Sequence, residues 1–178
     1  MAALSPLIAA NLHCLEQAIE LLGRLPEKAF ARTGERHART VGPHLRHVLD
    51  HYSAFIVGLP GFRVNYDARL REPRLESDLE FAAARLRELV GELALFDEDL
   101  MELPLQVRLE DGGGEAEQWS HSTVRRELQF LLSHTVHHFA LIAALLERFE
   151  IGVPEDFGIA PSTLKYWQAQ AQCAPLPG

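Results

Sequence analysis

The sequence predicts an all-α fold: a four-helix bundle with a minor β-hairpin and a short C-terminal helix, forming a single domain over residues 1–178. Three observations predict it. Apolar residues recur at i, i+3 and i+4 through four stretches long enough to be helices. One short stretch, Leu103 to Leu109, switches to strict alternation. The chain has 178 residues, 47% of them hydrophobic and 24% charged, which suits one globular unit with its own core.

Ser5-Pro6 reads as an N-cap followed by proline at the first helical position. Leu7, Ile8, Leu12, Leu15, Ile19 and Leu22 then recur at helical spacing up to Gly23. A polar segment runs from Pro26 to Thr40. Gly42-Pro43 opens a second helix, with Leu45, Val48, Leu49, Tyr52, Phe55 and Ile56 on one side, ending near Gly58. A loop with scattered charges extends to about residue 76. Ser77-Asp78 caps a third helix expected to run to about Met101, with Leu79, Ala82, Ala83, Leu86, Leu89, Val90 and Leu93 inward. Leu103, Leu105, Val107 and Leu109 alternate with polar residues before Gly112-Gly113-Gly114, which predicts a small hairpin. Ser122 is expected to start the fourth helix, reaching to about residue 149. Ser162 is expected to cap a last short helix to about residue 172, before the tail Pro175-Leu-Pro-Gly.

Composition narrows the function. The formal net charge is −8 and no Lys/Arg run stands against it, so no phosphate-tracking surface and no nucleic-acid partner is expected. Cys14 and Cys173 make no disulfide framework and point to a reduced, cytoplasmic setting with packing roles for both. The N-terminus lacks a basic region and is soon interrupted by Asn11, His13 and Glu16, so no signal peptide is expected. The most apolar stretch, about 128–146, carries Gln129, Ser133 and three histidines, which argues against a membrane span. Nearly every position there is apolar or histidine. That predicts a core helix, with a homodimer contact as a second use of its outer face.

The histidines carry the functional signal. Within His134-Thr-Val-His137-His138, a turn of about 100° per residue puts His134 and His138 on one face, one turn apart. An i, i+4 pair can chelate one metal ion from a single rigid helix. Leu141 and Leu145 continue that face, so the pair is expected to point inward. His137 lies to the other side of His134, as a competing ligand or a supporting residue. On the second helix His44, His47 and His51 share a face about a quarter turn from the apolar stripe, at the rim of the core. One of these joining the pair would make a three-histidine site with open coordination positions. Neutral imidazoles suit zinc, nickel, iron or copper better than calcium or magnesium.

Several chemistries are excluded by motif. Thr135 stands where the general-base glutamate of His-Glu-x-x-His would be, and the chain has no Glu-x-x-His, Cys-x-x-Cys, Gly-x-Ser-x-Gly or P-loop. Glu127 lies seven residues before His134 on its face and could reach a pocket, although a first-turn glutamate is ordinarily solvated. Asp50 sits one turn after His47, where it could orient a ligand imidazole or simply face water. Tyr52, Trp119 and Tyr166 are candidate pocket residues whose default role is packing. Three readings stand beside one another: a metal-dependent enzyme acting on small molecules, a non-catalytic metal-binding or stress-response protein with the same ligands, and a dimeric bundle whose histidines are structural.

Thr40-Val-Gly-Pro-His-Leu-Arg-His47-Val-Leu-Asp-His51, together with Leu132-Ser-His134-Thr-Val-His137-His138, resembles the DinB/YfiT-like family of small bacterial proteins. The resemblance covers most of the chain. It implies a four-helix bundle with a long crossover, often a homodimer, holding a divalent metal, commonly nickel or zinc, on three histidines. Carried over by position, the ligands are His47, His134 and His138, with His44, His51 and His137 as pocket or supporting residues. The resemblance also implies thiol-dependent transfer or isomerisation with a low-molecular-weight thiol, or metal-dependent hydrolysis. Relatives often carry Arg-Gly-Gln directly after the last histidine, where this chain has Phe139-Ala140-Leu141. That departure touches the thiol-transferase expectation and not the ligand positions.

Overall fold

The computed structural model describes residues 5–31, 40–109 and 118–173. The expected Gly112–Gly114 turn and the Pro175 tail lie outside the described residues. The described chain is mostly helical, with one small sheet.

Helix α1 spans Pro6–Leu22, with Pro6 at its first position as expected. The Ser5 hydroxyl does not cap the backbone; it bonds Glu98 instead. A single turn, α2 (Glu27–Phe30), buries Phe30. The second long helix is α3 (Val41–Gly58). The segment expected to be a plain loop holds a 3-10 turn at Leu59–Gly61, strand β1 (Arg63–Asn65) and the short helix α4 (Arg74–Ser77). At Gly42 a Cβ would collide with the Glu76 carbonyl, so glycine is what lets α4 close on the start of α3.

Helix α5 begins where the sequence indicated, with Asp78 accepting from the Phe81 N–H at 2.9 Å. It stops at Leu93 rather than near Met101. The Asp97 carboxylate takes the Leu100 N–H and restarts the chain as a separate 3-10 turn, Glu98–Leu100. Strands β2 (Pro104–Arg108) and β3 (Ser120–Thr123) form the expected antiparallel pair, with Leu105 opposite Ser122. β1 adds to β2 in parallel, giving the order β1-β2-β3. The fourth long helix, α6, covers Val124–Glu147 and is capped by Thr123, whose side chain accepts from the Arg126 N–H. Ser122, expected to open that helix, ends up in β3. The last helix, α7 (Pro161–Cys173), starts one residue before Ser162.

α3 packs on α6, α4 and α5, while α1 packs on α5 and α6. Tyr52, Phe55, Leu45, Leu49, Leu86 and Phe139 are fully buried between them. A small polar network locks three of these helices together. The Tyr52 hydroxyl donates to Asn11 Oδ1 at 2.7 Å, and Asn11 Nδ2 donates to the carbonyls of Leu7 and Leu128. Thr135 donates to the Leu131 carbonyl at 2.7 Å. Every buried polar group there finds a partner, so α1, α3 and α6 are held in one register.

α6 is less enclosed than its composition suggested. Its buried stripe runs Val124, Leu128, Leu131, Thr135, Phe139, Ile142 and Leu146 at helical spacing. Ser133, His137, Ala140, Leu141 and Ala144 face outward. α6 is long and apolar enough by composition to cross a membrane, yet its stripe is the seam on which the other helices close. The 151–158 loop folds back onto α6: Phe157 stacks flat on the buried Phe139 with ring centroids 4.5 Å apart. α7 stands largely in solvent, and Tyr166 is 59% exposed rather than packed. Cys14 is buried, and burial followed by the nearby Asp156 charge pushes its thiol up to about 11, as suits a packing cysteine.

Candidate metal centre

The α3–α6 contact brings the two histidine motifs face to face. His47 Nε2 and His134 Nε2 lie 3.1 Å apart, and His44 Nδ1 and His138 Nδ1 lie 3.0 Å apart. The His138 ring centroid is 4.6 Å from that of His134 and 4.7 Å from that of His47. The His51 ring is 4.3 Å from His134 and 4.4 Å from His47. One ligand atom each from His47, His51 and His134 fall within 4.8 Å of one another. Two facing imidazole nitrogens can share only one proton between them, so each pair holds at least one lone pair in place.

The electrostatics keep these rings neutral. Burial, followed by the neighbouring imidazoles, holds His47 down at about 3. Burial and then the His134 and His44 rings hold His138 at about 3. Burial is the first cause for His134, at about 4, and for His51, at about 4. Four clustered imidazoles that resist protonation are metal-ready donors, because a ligand nitrogen must be unprotonated. The donor set therefore fits a divalent ion of the imidazole-binding kind. Two nitrogens on one zinc ion, at about 2.0–2.1 Å each and the tetrahedral angle, would stand about 3.3 Å apart. The His47–His134 spacing already approaches that value.

The two candidate third ligands differ in their commitments. His51 donates from Nδ1 to the His47 carbonyl at 2.7 Å, and its Nε2 accepts from Arg69 Nη1 at 3.0 Å. Both nitrogens are used, which fixes the tautomer. His138 uses Nδ1 toward His44, and its Nε2 has no hydrogen bond among the described residues. His134 Nδ1 is buried with no partner.

The other expected residues fall as follows. His44 faces His138 at the edge of the cluster. His137 points outward and meets the His138 ring edge-on at 5.4 Å. The His134–His138 face is half-buried, not fully inward, because Leu141 beyond it is exposed. Asp50 makes no hydrogen bond to an imidazole among the described residues. It is buried and ion-paired to Arg46 at 3.0 Å, and burial raises its carboxyl above the usual range. Glu127 is not the solvated first-turn residue that its position suggested. It is buried, accepting from Tyr66 OH at 2.8 Å and from the Ser122 hydroxyl. Burial and then the Glu127 charge push the Tyr66 phenol up.

Tyr66 stacks on His51 at 5.4 Å and Phe130 stacks on His134 at 5.5 Å, so two aromatic rings form one wall of the cluster. Both rings also line a cavity of about 240 Å³ that contains Glu127 and His121. Sequence reasoning missed Tyr66, Arg69 and Phe130. Only Phe130, one turn before His134 on its own helix, lay within reach of a spacing argument.

A family model described as the DinB superfamily matches residues 10–142, three quarters of the chain and both histidine helices. The chain belongs to the DinB superfamily. Among curated proteins, the FK506-binding protein 5 of Rhizopus delemar (strain RA 99-880) is 30% identical over 108 residues. The match covers 60% of this DinB chain and 28% of that protein, so the chain spans under a third of its relative's length. No solved structure matches the chain.

Proposed function

We propose that this DinB-superfamily chain is a divalent-metal protein with its ion on His47, His134 and His138, and that it is an enzyme acting on small molecules. The observation that carries the reading is the 3.1 Å approach of His47 Nε2 to His134 Nε2 from two different helices. His138 is favoured as third ligand because its Nε2 is uncommitted, whereas His51 would have to release Arg69. The convergence of His47, His51 and His134 supports the alternative set, with His51 in place of His138. Zinc and nickel suit the all-imidazole donors, with iron a further fit.

A divalent ion held there would supply Lewis-acid polarisation and lower the pKa of a coordinated water or thiol. The chain's own residues supply the surroundings. Tyr66 and Phe130 limit water on one side, and the buried Glu127 carboxylate is tied to that wall through Tyr66. Those roles suit hydrolysis or transfer of a low-molecular-weight thiol. The packing of α1, α3, α5 and α6 supports the four-helix-bundle architecture, and the exposed Ala140, Leu141 and Ala144 of α6 support a homodimer. A cytoplasmic location belongs to the same reading.

Metal content by elemental mass spectrometry on untagged protein tests it. About one ion per chain is expected, lost in His134→Ala and His138→Ala and kept in His51→Ala. Loss in His51→Ala with retention in His138→Ala would replace the third ligand. Retention of the ion in His134→Ala would refute the site.

A further inference from the structure

A second cavity, of about 590 Å³, runs along α3 from Asp50 to Gly58, roofed by β1 and the 68–75 segment and backed by Phe81 and Arg85 of α5. Its volume is that of a small-molecule site. Its walls are part apolar, with Ala54, Leu75 and Phe81, and its mouth exposes Val57 at 78% and Leu70 at 97%. Isolated apolar side chains at a surface are ordinary, but these two rim one opening.

Its walls carry three guanidinium groups, Arg63, Arg69 and Arg85, against two carboxylates, Asp50 and Glu72. Asp50 is taken by Arg46, and Arg85 is taken by Glu88 and Glu92. Glu72 accepts the Arg74 backbone N–H at 3.0 Å. Arg63 lies over the Trp119 ring at 4.3 Å and Arg69 donates to His51; neither has a carboxylate in ion-pair contact among the described residues. Arg69 Nε is buried with no partner. Asp50 and Asp67 act on Arg69 without an ion-pair contact, and burial outweighs them, so a ligand carboxylate in direct contact would offset the remaining cost of shielding the guanidinium. In Arg69 the Nη1 end is held by His51, and the rest of the guanidinium lines the cavity with no ion-pair contact among the described residues.

We propose that this cavity binds a small organic anion, a carboxylate carrying an apolar body, with Arg69 on the carboxylate, Arg63 adding charge, and Val57, Leu70 and Phe81 against the body. Binding there does not require metal. Where the metal reading of the histidine cluster holds, and only there, the cavity also names the substrate class. A carboxylate on Arg69 is one residue removed from His51 and so flanks the cluster.

The test is a titration of the full chain, metal-free and zinc-loaded, with octanoate, followed by backbone amide NMR shifts. 1-Octanol and acetate serve as the apolar-only and charge-only controls. Octanoate is expected to saturate at millimolar concentration or below, shifting amides of α3, β1 and the 68–75 segment, with both controls at least tenfold weaker. Arg69→Gln is expected to weaken octanoate at least tenfold, and Ala54→Trp, which fills the cavity, to abolish saturation while the amide spectrum stays folded. Absence of saturation in the wild type, equal affinity for 1-octanol, or unchanged affinity in Arg69→Gln would overturn the inference. Octanoate binding by a chain that takes up no zinc removes the metal reading alone; zinc uptake without octanoate binding removes this one alone.

Discussion

Gly158→Ala isolates the contact that holds the 151–158 loop against α6, immediately after His138. Gly158 has a φ of +74°, in the left-handed region. A Cβ there would sit 2.5 Å from Ala140 N and 2.8 Å from both Ala140 Cα and the Phe139 carbonyl carbon. All three are helix backbone atoms directly after His138, so no side chain can swing aside. Placing alanine at that φ costs about 1–2 kcal/mol. Relieving the contact lifts the loop by about 1 Å, which unseats the Phe157–Phe139 stack and gives back about 1–2 kcal/mol of buried aromatic surface. The total is about 3 kcal/mol, a fall in Tm of about 6–12 °C for a domain of this size. Differential scanning calorimetry on the metal-free chain measures it. Gly152→Ala is the control, because nothing lies within 4 Å of a Cβ at that position, and its Tm is expected to stay at the wild-type value. A Gly158→Ala Tm within about 2 °C of wild type would show that the loop is not clamped there and would refute the argument.

Two further predictions follow from the site. His47, His51, His134 and His138 are held at about 3 to 4 when folded, against about 6.5 when unfolded. Between those values the unfolded chain binds more protons, so metal-free stability is full above about pH 6.5 and falls as the pH drops toward 4. One fully buried ring would contribute about 1.4 kcal/mol per pH unit; these rings are half-buried and repel one another, so a combined loss of about 2 kcal/mol from pH 7.5 to 5.5 is expected. A Tm that stays flat over that interval, read by circular dichroism, would contradict neutral clustered imidazoles. Tyr66→Phe removes the phenol that donates to the buried Glu127 carboxylate at 2.8 Å, an expected loss of about 1.5–3 kcal/mol in urea unfolding. A loss below about 0.5 kcal/mol would mean that Ser122 alone satisfies the carboxylate.

The four long helices and both histidine motifs were legible because each is a local pattern. Apolar spacing in α1, α3, α5 and α6 repeats within one element, and the i, i+4 relation of His134 and His138 is set by the helix itself. Asp78 read correctly as a cap for the same reason. Ser122 did not: pairing with Leu105 across the sheet competed with helix initiation, and Thr123 took the cap. The end of α5 was misjudged because Asp97 breaks a pattern that apolar spacing alone would continue. β1 was invisible in the sequence because three residues make a strand only when a partner such as β2 supplies its hydrogen bonds.

By itself the sequence determined that two helices would each present a row of histidines, since helical geometry fixes which side chains share a face. Only the tertiary structure decided how those rows meet. The crossing of α3 and α6, locked by Asn11, Tyr52 and Thr135, sets His47 against His134. It also commits His51 to Arg69 and buries Glu127 under Tyr66. Those pairings join residues 18 to 87 positions apart. No spacing rule reaches that far, because they depend on which surfaces the core has already brought together.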